Sequence, residues 1–272
     1  MNIIFQYMII DEDTNKRGKV PQYPQGTRAE LYKKTSRLSA KSFRIYADKI
    51  GAHHHYSSKK VFTKGINGKL VPFFEILRLV YDPMYDNYDK LLFADADVIC
   101  NTEENIFDEI DDGVDVIGVF ESEIVNEDGG AYNAWDYSEG AYKQLKEKYE
   151  LNNIPLVPTE SKYRPSLITQ FNTGVLVWTK EARLKARECF DSWYDYMNTG
   201  SQDAYTAADQ PFISGQLTKH GFNIKSIDQK WNKTPKDGRG YDMNFLHYTG
   251  GDGKVVMLED YKKNKFKYLK KT

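Results

Sequence analysis

Short apolar runs alternate along this chain with segments whose apolar residues recur every three or four positions. That alternation predicts a βαβ-type layered sheet. Ile3–Ile10 reads as a first strand, followed by a polar loop with Pro and Gly that runs to Thr27. Arg28–Gly51 has helical spacing and ends on a glycine, the residue best suited to the left-handed position after a helix. Ala52–Ser57 reads as a second strand, and Val71–Tyr85 as a helix stopped by the turn at Pro83. "KLLFADADVIC", Lys90–Cys100, is predicted to be one strand, and Val114–Phe120 another. After a long irregular stretch, Phe171–Thr179 is predicted as a strand and Lys180–Met197 as an amphipathic helix. Asp209–Gly221 follows as a helix and Asn244–Gly250 as a short last strand.

The stretch from about 121 to 166 is rich in Tyr, Asn, Gly and Pro and has weak periodicity, apart from a helix around Tyr142–Glu150. Such segments are more often functional insertions or lids than core. With no repeat and no low-complexity linker, residues 1–272 read as one domain with an elaborated half.

Composition narrows the function. The 272 residues carry 38 basic and 39 acidic side chains, a net charge of −1, so nucleic acid is not the expected partner. Two cysteines, Cys100 and Cys189, are too few for a disulfide framework and read as small core residues in a reducing compartment. "MNIIFQYMII" lacks the basic flank and small-residue cleavage site of a signal peptide, and no apolar run is long enough to span a bilayer. The expected location is cytoplasmic. Aromatic residues make up 14% of the chain, including 20 tyrosines, a composition that suits sugar or base stacking as well as core filling.

The candidate chemistry begins at Asp95 and Asp97, which flank one alanine where an apolar strand runs out. Residues i and i+2 of a strand share a face, so both carboxylates would converge in the crevice beyond the sheet's carboxyl edge. Two adjacent carboxylates repel, and a hard divalent cation removes that cost. Read alone, the pair is equally a strand end carrying surface acids, or an aspartate capping a helix.

Five stretches, taken in order and beginning with the acid pair's own, give the chain a family resemblance. "LLFADADVI", "FNTGVLVW", "ADQPFIS", "KWN" and "FLHYTGGDGK" resemble segments of the retaining family 8 glycosyltransferases, the glycogenin and lipopolysaccharide galactosyltransferase type. The resemblance implies a GT-A fold: an α/β protein with a Rossmann-like mixed sheet flanked by helices, here with an acceptor-side insertion. It implies Asp95, Asp97 and His247 as ligands of Mn²⁺ or Mg²⁺. Asn172 and Gly174 would lie beside the donor sugar, with Asp209 and Gln210 as the catalytic pair. Gly250 and Lys254 would meet the diphosphate. Upstream, Tyr32 falls where the family places an aromatic against the base, and Arg78 where it has a basic residue at the donor.

The implied reaction moves a hexosyl or pentosyl group from a nucleoside-diphosphate sugar, UDP-linked, to a hydroxyl of a glycan, glycolipid or glycoprotein, with retention. An inverting GT-A enzyme using Glu121, Glu123 or Asp128 as base is the alternative, as is a non-catalytic carbohydrate-binding protein. A sugar-1-phosphate nucleotidyltransferase is disfavoured, because no Gly-rich signature follows the first strand. Trp135, Tyr132, Tyr137 and Tyr163 are the expected acceptor platforms. Two departures stand out: the polar loop 11–27 before the Tyr32 helix, and "KVVMLED" where the family often has Pro-Trp. The tail 261–272 interleaves Lys with Tyr261, Phe266, Tyr268 and Leu269. It reads as a solvated end, or as a peripheral contact to an anionic membrane. His53–His55 reads as a solvated strand end, with the middle side chain on the opposite face.

Overall fold

The computed structural model of the protein describes residues 1–10, 14, 20–61, 72–120, 171–194, 209–235 and 240–270. The insertion 121–166, with its candidate bases and aromatic platforms, lies outside them. The elements are β1 (Ile3–Tyr7), α1 (Arg28–Ile50), β2 (His53–Ser57), α2 (Arg78–Tyr81), β3 (Lys90–Ala94), β4 (Val98–Cys100) and β5 (Val116–Phe120). They continue with β6 (Phe171–Thr179), α3 (Lys180–Cys189), α4 (Asp209–Lys219), β7 (Ile224–Ser226), β8 (Phe245–His247) and α5 (Gly250–Lys262).

Six strands form a mixed sheet in the order β2-β1-β3-β6-β5-β7. β1 is parallel to β2 and β3, while β6 runs antiparallel to β3 and β5. Period-two alternation divides the core between the two faces. Ile3, Phe5, Leu91, Phe93, Leu176 and Trp178 pack on one side, and Ile4, Leu92, Ala94, Val175 and Val177 on the other.

The second side is closed by α1. Thr27 and Glu30 form a reciprocal capping box at its start, and Gly51 ends it with φ +69°. Phe43 and Tyr46 of α1 pack edge-on against Phe245 of β8.

Lys90–Cys100 is not one strand. It breaks after Ala94 into a turn, closed by the Val98 N–H donating to the Asp95 carbonyl at 3.1 Å. Beyond the turn β4 leaves the main sheet and pairs antiparallel with β8, in the register Val98↔His247. The helix expected to reach Met197 stops at Cys189, where Phe190 turns extended and packs among Trp178, Phe212 and Phe222.

A helix not expected from the sequence, α5, follows β8 directly. Its first turn is Gly-Gly-Asp-Gly, poor in helix propensity, so packing must hold it. The described part of the tail, 261–270, is correspondingly more than a solvated end. Phe266 and Leu269 are fully buried with Ile99, Leu246, Tyr248 and Met257, and Asp260 accepts from Tyr241, Tyr248 and Lys265. These apolar residues therefore serve the core and are not displayed to a membrane. Among the described residues, no helix is long and apolar enough to cross one.

Phe266→Ala is expected to cost about 3–5 kcal/mol in denaturant unfolding, the usual range for emptying a buried aromatic site. A loss indistinguishable from zero would return the tail to solvent.

Candidate active site

The turn after β3 and the register of β4 with β8 bring Asp95, Asp97 and His247 together. Their ligand atoms all lie within 4.8 Å of one another. The His247 Nε2 stands 3.3 Å from an Asp97 oxygen and 3.7 Å from an Asp95 oxygen. The convergence predicted for the two acids is present, but the turn produces it rather than strand alternation.

The other side of the imidazole is fixed by a chain of amides. The Gly174 N–H donates to Asn172 Oδ1 at 3.1 Å, and Asn232 Nδ2 donates to the same oxygen at 2.9 Å. That leaves Asn232 Oδ1 facing His247 Nδ1 at 2.8 Å. A carboxamide oxygen only accepts, so Nδ1 carries a proton. The backbone amide at the start thus decides the tautomer at the end. With Nδ1 protonated, a neutral His247 directs the Nε2 lone pair at two carboxylates.

That arrangement needs positive charge between the groups, and a divalent cation fits it. Two carboxylates and one imidazole are a donor set suited to Mn²⁺, and the bond from Nδ1 to Asn232 is the outer support that such a ligand usually has. Gly174 makes the approach sterically feasible. A Cβ there would lie 2.3 Å from His247 Cε1, so any side chain would push the ring away.

Lys254, one turn into α5, forms a buried ion pair with the second Asp97 oxygen. Burial would raise the Asp97 carboxyl, but Lys254 and His247 outweigh it and hold the group well below the usual carboxylate range. Asp95 moves the opposite way, raised first by desolvation and then by repulsion from Asp97. Its side chain keeps 40% exposure, so it faces the opening while Asp97, at 11%, lies within. Burial disfavours the charged form of His247, and the two carboxylates reverse that and raise it.

The remaining expected site residues divide. Asp209 and Gln210 open α4 and are held by Thr173 of β6: its hydroxyl donates to Asp209 at 2.8 Å and its N–H to Gln210 Oε1 at 3.3 Å. Burial, partly offset by the Thr173 bond, raises the Asp209 carboxyl to about 6. Thr173 lies between Asn172 and Gly174, so one three-residue stretch supports both groups. Tyr32 presents its ring to Lys254, with Nζ 5.0 Å from the centroid, and accepts from Arg28. Gly250 begins α5 at φ +71°.

Arg78 is engaged elsewhere, paired with Asp82, donating to Ser57 at the end of β2 and stacked 5.3 Å over Phe5. Its visible contacts are with the scaffold. Asn232 and Thr173 are the residues whose roles the sequence reading missed. "KWN" marked the first by resemblance alone, and Thr173 sat unnoticed inside "FNTG".

An acid-x-acid turn at the edge of a mixed α/β sheet faces a histidine and a lysine, and its three converging ligand atoms could hold a metal ion. Comparison with known proteins assigns the family. The family model described as "Glycosyl transferase family 8" matches residues 74–254, more than half of the chain. The chain belongs to that family and is a glycosyltransferase of GT-A fold. Among solved structures it is similar to a glycosyltransferase involved in glycosylation of the major capsid of PBCV-1. That match has 12% identity and a TM-score of 0.51, and covers 95% of this chain and 98% of that one. It is also similar to the apo WbbM bifunctional glycosyltransferase, at 11% identity and TM-score 0.53, covering 96% of this chain and 50% of that one. Among curated protein sequences there is no match.

Nitrogen-detected NMR of the imidazole is expected to find Nδ1 of His247 protonated in the wild type, and that fixed tautomer lost in Asn232→Leu. A wild-type ring protonated on Nε2 alone would contradict the amide chain.

Proposed function

We propose that the protein is a metal-dependent, retaining glycosyltransferase. It would take a nucleoside-diphosphate sugar, UDP-linked, and transfer the sugar to a hydroxyl of a glycan, glycolipid or glycoprotein. The observation that carries this reading is the convergence of Asp95, Asp97 and His247 beside Lys254 and the first turn of α5.

Asp95, Asp97 and His247 would hold Mn²⁺ or Mg²⁺, which when bound supplies Lewis acidity to the departing diphosphate. Lys254, buried and charged, is close enough to lend its ammonium to the same oxygens. The first N–H groups of a helix have no intrahelical acceptor, so Gly250, Gly251 and Gly253 offer backbone donors to phosphate. Tyr32, against Lys254, places a flat face for the base one side chain away from the phosphate site.

At the sugar, Asn172 and Asp209 supply the polar groups that read hydroxyls, with Gly174 beside them. Gln210 is a poor nucleophile, so the reading favours same-face attack. The C1–O bond to diphosphate breaks, the acceptor oxygen bonds to C1 on that face, and its proton passes to the leaving oxygen. The Gln210 carboxamide oxygen, oriented by the Thr173 amide, stabilises the developing oxocarbenium ion.

In thermal unfolding, wild type should gain about 2.7 kcal/mol from UDP with Mn²⁺ at a hundred times its dissociation constant. Asp95→Asn and Asp97→Asn should each lose most of that gain; a wild-type response in both would remove the metal assignment. Gln210→Ala should slow transfer about 10²–10³-fold while Mn²⁺ and UDP still bind, a loss typical of one transition-state contact. Proton NMR of the product should show the anomer of the donor. The opposite anomer would replace retention with inversion.

A further inference from the structure

The acid turn is held from behind by polar side chains that neither the family assignment nor the proposed chemistry uses. β1 is apolar except at Gln6, which is fully buried. Its Nε2 donates to Ser39 Oγ at 2.8 Å and to the Asp95 carbonyl at 3.3 Å. Its Oε1 meets His54 Nε2 at 3.0 Å. Because the Gln6 nitrogen faces a carbonyl, its oxygen must accept, and His54 must carry a proton on Nε2. Burial, with His55 and Arg44 nearby, holds His54 down to about 4, so that proton belongs to a neutral ring.

Ser39, also fully buried, donates to the Val98 carbonyl at 2.6 Å. One turn later Ser42 accepts from the Cys100 N–H at 3.1 Å. On a strand, the carbonyl of Val98 and the N–H of Cys100 point the same way, and β8 takes the other edge through Asp97 and Asn101. Two serines of α1 therefore replace the missing strand beside β4. The Asp95 and Val98 carbonyls bracket the turn that carries both acids, and Gln6 and Ser39 bind both of them.

We propose that Gln6 and Ser39 are positioning residues for the metal site: they clamp the two ends of the Asp95–Val98 turn so that its carboxylates converge on His247. This rests on the proposed metal reading. The carbonyls are backbone, so no side chain in the turn can adjust to their loss. A turn that relaxes by a few tenths of an ångström splays carboxylates that must share one ion. Ser42 bonds two residues beyond the turn, and so has a fastening role without an aiming role. The three side chains thus separate aim from stability.

The test is titration of the metal-free full chain with Mn²⁺ alone, followed by calorimetry and by the electron paramagnetic resonance of the bound ion. Ser39→Ala and Gln6→Leu are expected to weaken Mn²⁺ binding about 10–100-fold, the usual effect of removing an outer support of a metal site, and to broaden the spectrum. Ser42→Ala should lower thermal stability yet bind Mn²⁺ as wild type does. Ser39→Thr, which keeps the hydroxyl, should recover affinity relative to Ser39→Ala. If Ser39→Ala and Gln6→Leu, folded by circular dichroism, bind Mn²⁺ like wild type, the clamp is overturned while the metal site stands. If Ser42→Ala weakens binding as much as Ser39→Ala, the role is general stability and the proposal falls. Absence of Mn²⁺ binding in wild type overturns the metal reading and the clamp with it.

Discussion

Two carboxylates one residue apart cannot both stay charged in a half-closed site without a counter-charge, and the carboxyl end of β3 is built around that constraint. Asp97 receives one cation directly from Lys254. A neutral His247, protonated on Nδ1, would turn a lone pair toward both acids and add to the negative potential rather than relieve it. Protonating the ring or placing a cation between the three groups resolves the conflict, and under the proposed function, where the leaving group is itself a polyanion, the second solution has a use.

The supports around this point are mostly backbone-derived. The Gly174 N–H fixes Asn172, Asn172 fixes Asn232, and Asn232 fixes the tautomer of His247. The Gly174 carbonyl accepts from the Asp95 N–H at 2.8 Å, so one residue of β6 touches both the acid turn and the histidine's support. Its missing Cβ is what lets the imidazole close against it. Networks fully satisfied in this way hold a single arrangement, whereas a partly satisfied one is costly to bury.

Much of this fold was legible because its signals are local. The α1 span follows from helical spacing and a terminal glycine, and β6 from a long apolar run. What was not legible depended on partners distant in sequence. "KLLFADADVIC" has no residue that forces a break, so the division into β3 and β4 follows from β8, nearly 150 positions later. The Gly-Gly-Asp-Gly start of α5 looks like a loop by propensity, and tertiary packing makes it a helix. The tail looked polar by composition, yet Phe266 and Leu269 find a pocket. The acid pair and His247 were visible as residue types, but Asn232 and Gln6 become meaningful only once their partners are known. Arg78, placed at the donor by resemblance alone, has contacts with Asp82 and Ser57 that only the structure reveals.

The central claim is that Asp95, Asp97 and His247 share one ion. An anomalous difference map from crystals soaked with Mn²⁺ and a nucleoside diphosphate tests it most directly. The account predicts a single peak bonded to His247 Nε2 and to both carboxylates, with the diphosphate on its open side. A peak bound by the acids alone, with His247 turned away, or a diphosphate bound with no ion beneath it, would contradict it.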